Sequence, residues 1–98
     1  MTQLHIALND GFAGDQVAVR VDGREVYRKA GVKTDLRISR ADAVDTEAAD
    51  GGADVEIEAR GKVSRVRIDP KATPYLGVDL GPDGQPRFRQ QAEPFAYL

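Results

Sequence analysis

The amino-acid sequence predicts an all-β fold, an antiparallel β-sandwich of about seven to nine strands. Three observations carry that prediction. Apolar and polar residues alternate with period two along most of the chain, turn signals rich in Gly, Asp and Asn recur between the alternating runs, and no long amphipathic helix appears. At 98 residues the chain forms one domain, 1–98, with room for a single core.

The clearest stretch is Asp54–Asp69. Val55, Ile57 and Ala59 alternate with Glu56 and Glu58, and after Arg60-Gly61-Lys62-Val63 the residues Ser64, Val66 and Ile68 alternate with Arg65 and Arg67. This is a hairpin with one apolar and one charged face. Placing Ala59 opposite Ser64 matches Ile57 with Val66, Val55 with Ile68, Glu58 with Arg65 and Glu56 with Arg67. A slip of one residue would drive charges into the core, so burial sets the faces.

Taken in order, Leu4, Ile6 and Leu8 mark a first strand that ends in the acidic loop Asn9–Asp15. Val17, Val19 and Val21 mark a second, running into Asp22-Gly23, a dipeptide suited to a tight hairpin turn. The return strand through Val26 and Tyr27 alternates imperfectly, which predicts a bulge. Val32, Thr34, Leu36 and Ile38 then share one face and predict another half-buried strand. Residues 40–49 admit a short helix, a loop or a weak strand: Ser39-Arg40-Ala41-Asp42 resembles a capping box, but the apolar stripe behind it is thin. All five prolines fall between Pro70 and Pro94, which places the later strands, Tyr75–Leu80 and one through Phe88, at sheet edges. The turn between them, Gly81-Pro82-Asp83-Gly84, suits a type I turn. The apolar ending, Pro94 to Leu98, is expected to dock. Together these elements give a sandwich that is immunoglobulin-like or prealbumin-like in general architecture, with at most one short helix or turn near 40–49.

Composition narrows function. The formal net charge is −2, from 14 basic and 16 acidic side chains, which argues against nucleic acid as a partner. With no cysteine there are no disulfides, thiolate metal sites or thiol nucleophiles. No apolar run reaches membrane-spanning length and the first residues lack a signal-peptide pattern, so the expectation is a soluble, cytoplasmic protein with no membrane partner. Basic residues concentrate between Arg20 and Arg40 and acidic ones between Asp42 and Glu58, a polarity that intramolecular pairing would satisfy.

Catalysis finds few candidates. His5 is the single histidine, Ser39 and Ser64 are the serines, and Glu56 and Glu58 face arginines in the expected register, so the sequence predicts neither an enzyme nor a cofactor. The enzyme reading would revive if His5 lay in a pocket beside a carboxylate or hydroxyl. The best metal candidates are Asn9, Asp10 and Asp15, oxygen ligands in one loop that would suit a calcium- or carbohydrate-binding sandwich. Gly77, inside a strand, marks a bulge or a close approach. Tyr75, Phe95 and Tyr97 are expected near it, and with Phe88 they are the candidate partner contacts if exposed, or the closure of one end of the core if buried. The functional expectation is a non-enzymatic binding or protein-interaction module, self-association included, working through an edge strand or this aromatic region.

Overall fold

The computed structural model describes residues 1–95, and among these there are eight strands and no helix. They are β1 (Thr2–Leu8), β2 (Ala13–Val21), β3 (Arg24–Lys33), β4 (Asp42–Ala48), β5 (Ala53–Ala59), β6 (Lys62–Ile68), β7 (Tyr75–Leu80) and β8 (Pro86–Gln91). Two four-stranded sheets, ordered β4-β1-β7-β8 and β3-β2-β5-β6, stack as the expected sandwich. One pairing departs from the antiparallel expectation: β1 and β7 run parallel, with Ile6 beside Leu76 and Ala7 beside Gly77. Their separation in sequence leaves room for the crossover a parallel pair needs.

The core comes from the inward positions of the strands with the cleanest alternation: Leu4, Ile6 and Leu8, Val17, Val19 and Val21, Val55 and Ile57, Leu76 and Val78, all essentially buried. Phe12, in the loop after β1, joins them at 3% exposure. That loop is a packed corner. The Asn9 N–H donates to the Val78 carbonyl and the Leu80 N–H to the Asp10 carbonyl, both at 2.8 Å. Gly11 sits at φ +90°, where a Cβ would lie 1.8 Å from the Leu80 carbonyl oxygen.

The Asp54–Asp69 hairpin keeps its expected faces but not its expected register. Ala59 pairs with Lys62, Ile57 with Ser64, Val55 with Val66 and Ala53 with Ile68, an offset of two residues. The cause is the turn. Arg60 (φ 53°) and Gly61 (φ 73°) are both left-handed, making a two-residue hairpin loop where the expected pairing needed four. A two-residue slip preserves every side chain's face, so the apolar pattern alone cannot detect it. The ion pairs change with it: Arg65 reaches Glu56 (2.6 Å), Arg67 reaches Asp54 (3.2 Å), and Arg20 on β2 bridges Glu56 (3.1 Å) and Glu58 (3.2 Å).

The β2–β3 hairpin turns at Asp22-Gly23 with both φ positive, and its register shifts between Val19 and Arg20, as the broken alternation implied. The strand expected from Val32 to Ile38 is a correction: β3 ends at Lys33, opposite Ala13, where its antiparallel neighbour β2 begins. With no partner strand beyond that point, residues 35–40 form a turn. The Asp35 N–H donates to the Arg40 carbonyl, and Asp35 holds the Arg37 N–H and guanidinium, leaving Leu36 88% exposed. Residues 40–49 take neither the helix nor the loop option, because β1 offers a free edge along which Asp42–Ala48 pairs residue for residue, as β4.

Side chains tie the sheet margins together. Tyr27 and Lys29 on β3 meet Asp42 on β4, and Arg24 donates to the Glu47 carbonyl. On the far side Gln90 donates to the Arg67 carbonyl and Lys62 to the Asp83 carbonyl. Between the basic 20–40 and acidic 42–58 segments, Arg20 pairs with Glu56 and Glu58 and Lys29 with Asp42, while Arg28 and Arg37 pair within the basic segment with Glu25 and Asp35.

Candidate functional site

The two outer faces of the sandwich differ. On the β3-β2-β5-β6 sheet, outward residues form a ladder of ion pairs, Arg65–Glu56–Arg20–Glu58. The β4-β1-β7-β8 sheet carries instead a row of small residues: Ala43 pairs with Ala7, Ala7 with Gly77, and Gly77 with Arg89. Alternation puts the four on the side away from the core, yet Ala7 is only 8% exposed and Gly77 is buried. The chain after β8 covers them. A Cβ placed on Gly77 would lie 2.8 Å from Cζ of Phe95, and the Arg89 guanidinium sits 6.0 Å from the centre of that ring. The close approach expected at Gly77 is therefore made by Phe95. It covers the outside of a sheet, so the alternative of closing one end of the core is not the one adopted.

Pro94 and Phe95 separate two depressions. One, of about 370 Å³, is bordered by Asn9, Asp10, Ser39, Asp79 and Arg89. The other, of about 170 Å³, has Ala7 and Ala43 in its floor and His5, Asp45, Tyr75 and Arg40 around it. The next row of the sheet builds its wall. Asp45, His5 and Tyr75 are successive neighbours across β4, β1 and β7. His5 Nδ1 lies 2.7 Å from Asp45 Oδ1, an arrangement in which the ring N–H donates to the carboxylate, and the imidazole stacks on Tyr75 with centroids 4.8 Å apart and planes 15° apart. This is the constellation named as reviving the enzyme reading, since His5 does line a depression beside a carboxylate. Among the described residues, those that line this depression include no serine, threonine or cysteine. The depression presents an oriented imidazole, a carboxylate, an aryl face and small apolar side chains.

The candidate residues are only partly brought together. Tyr75 and Phe95 share the groove, whereas Phe88, opposite Val78, faces the other way and packs against the core. Tyr97 lies outside the described residues. The three loop oxygens do not converge: Asn9 and Asp10 border the larger depression by Phe95, while Asp15 lines a different one beside Arg60. Asp15 is engaged by Arg60 at 2.8 and 3.3 Å, and that hydrogen bond holds its carboxyl below the usual carboxylate range despite partial burial. Among the described residues no group of three His, Cys, Asp or Glu side chains is placed to hold a metal ion, and no helix is long and apolar enough to cross a membrane.

Sequence reasoning missed Ala7, Ala43, Asp45 and Arg89 as parts of one surface. His5 and Asp45 are 40 positions apart, and only the β1–β4 pairing joins them. Comparison with protein-family models, with curated proteins and with solved structures found no match. The functional reading therefore rests on the geometry of this chain.

Proposed function

We propose that the domain is a non-enzymatic protein-interaction module that meets its partner on the outer face of the β4-β1-β7-β8 sheet, at the groove floored by Ala43, Ala7 and Gly77. The observation that carries this reading is the contrast between the two outer faces. A partner docking on the opposite sheet would have to desolvate a ladder of satisfied ion pairs, at a cost its own contacts must first recover. On the groove side, small apolar residues, an aromatic ring and a guanidinium offer the mixture on which binding hot spots are built. Contact through a free edge strand is less well supported, because side chains from the facing sheet reach carbonyls on β4 and β6, and Pro86 opens β8.

The test is site-specific photo-crosslinking of the full chain in its source cells. A benzophenone amino acid in place of Asp45 is expected to give a discrete covalent adduct, and the same probe in place of Arg65, on the opposite sheet, none. Equal yields at both positions, an adduct only at 65, or no adduct at either would contradict the proposal.

A further inference from the structure

We infer that the groove is a recognition site for a proline–aromatic peptide segment, and that the chain's own Pro94–Phe95 occupies it in cis, so that a partner segment of the same chemistry enters by displacing it. The inference rests on the interaction reading above for the face it uses, and adds the chemical class of the ligand and a gate.

Four observations support it. First, the floor is built for a ring: three strands place Ala43, Ala7 and Gly77 in one row, and the ring edge approaches so closely that a Cβ on Gly77 would meet two ring carbons at 2.8 and 3.0 Å. Second, the ring is recognised by charge as well as by shape, since Arg89 stands 6.0 Å from its centre. Third, depressions of about 370 and 170 Å³ lie on either side of Pro94–Phe95, giving room for the residues that flank such a pair in an incoming chain. Fourth, Phe95 stands outside the hydrophobic cluster between the sheets, so it can lift without opening the core. Pro94 itself stays exposed at the margin of both depressions, and proline suits the position before the ring because its fixed φ lowers the entropy lost when an extended segment is laid down.

The gate follows from connectivity. Phe95 is joined to the end of β8 by only Ala92, Glu93 and Pro94, so its effective concentration at the seat is on the order of millimolar. A segment arriving in trans sees only the fraction of molecules whose seat is open, and its apparent affinity falls by that fraction. Removing the Phe95 ring should therefore strengthen binding in trans, the reverse of what loss of a contact residue would do.

The experiment uses a fluorescein-labelled synthetic peptide with the sequence of residues 91–98, Gln-Ala-Glu-Pro-Phe-Ala-Tyr-Leu, titrated by fluorescence polarisation into the full-length chain and its full-length variants. The Phe95→Ala chain is expected to bind at least tenfold more tightly than the wild type. Adding Gly77→Val to Phe95→Ala should abolish that binding, and adding Arg89→Ala should weaken it severalfold; thermal melts verify that each variant folds, and the Arg89→Ala arm decides if Gly77→Val does not. No binding by Phe95→Ala, equal binding by Phe95→Ala and wild type, or binding unaffected by either second substitution would overturn the inference. A wild-type dimer that Phe95→Ala dissolves would put the segment in a second copy's groove and overturn the cis assignment. If the peptide fails while the crosslink at position 45 forms, the face stands and the ligand class is wrong; if both fail, the interaction reading falls with it.

Discussion

Aliphatic residues of similar size in this chain meet opposite environments, and their substitutions should differ accordingly. Ile57 is fully buried between the sheets, so Ile57→Ala should cost about 2–5 kcal/mol in urea denaturation. Leu36, an aliphatic residue of similar size, is 88% exposed on its turn, and Leu36→Ser should change stability by less than about 0.5 kcal/mol. These two also show what was legible at this scale. Ile57 announces its burial through alternation, whereas Leu36 continues the same alternation past the point where β3 has a partner, and Phe12 reaches the core from a loop with no periodicity at all. Hydrophobic pattern identifies burial only where a strand has a neighbour to supply the other wall. The Asp15–Arg60 pair gives a pH signature. The folded-state pKa of Asp15 is lowered by its hydrogen bond to Arg60, so its contribution to stability is complete above the unfolded carboxyl pKa of about 3.9 and is lost as pH falls through the lower folded value. Asp15→Asn should thus lower the melting temperature at pH 7 and show a shallower loss of stability below about pH 4 than the wild type.

Between elements, turns decide what alternation leaves open. The faces of β5 and β6 were readable because a one-residue slip would bury arginine, but the two-residue offset was set by left-handed Arg60 and Gly61, whose conformation has no periodic signature. β4 was ambiguous for a related reason. Its seven residues have no strong intrinsic preference, and the open edge of β1 made them a strand. The corner after β1 is the most demanding of these connections. Gly11→Ala places a Cβ against the Leu80 carbonyl at a positive φ and should destabilise the domain by at least about 1–3 kcal/mol, measured by chemical denaturation. Gly14 has nearly the same φ (+91°) but open space around it, so Gly14→Ala should be clearly milder.

Across the whole molecule, the sandwich was legible from strand count, turn spacing and composition, and the groove was not. Sequence placed Tyr75, Phe95 and Tyr97 near Gly77, because the apolar ending had to lie against something, and Tyr75 and Phe95 are found there while Tyr97 lies outside the described residues. It could not supply the other half of the surface, since Ala7, Ala43, His5 and Asp45 reach the site only through the parallel β1–β7 pairing and the β1–β4 edge. The proposed seat for a proline–aromatic segment on the outer face of this sheet predicts that Phe95 lies over Gly77, Ala7 and Ala43 in solution. The most direct test is the backbone amide and α-proton NMR spectrum of the full chain beside that of Phe95→Ala. Loss of the ring current should shift Gly77, Ala7, Ala43 and Arg89 while leaving Glu56, Arg65 and Arg20 on the opposite sheet in place. Unchanged Gly77 and Ala7 resonances, or shifts spread evenly over both sheets, would contradict it.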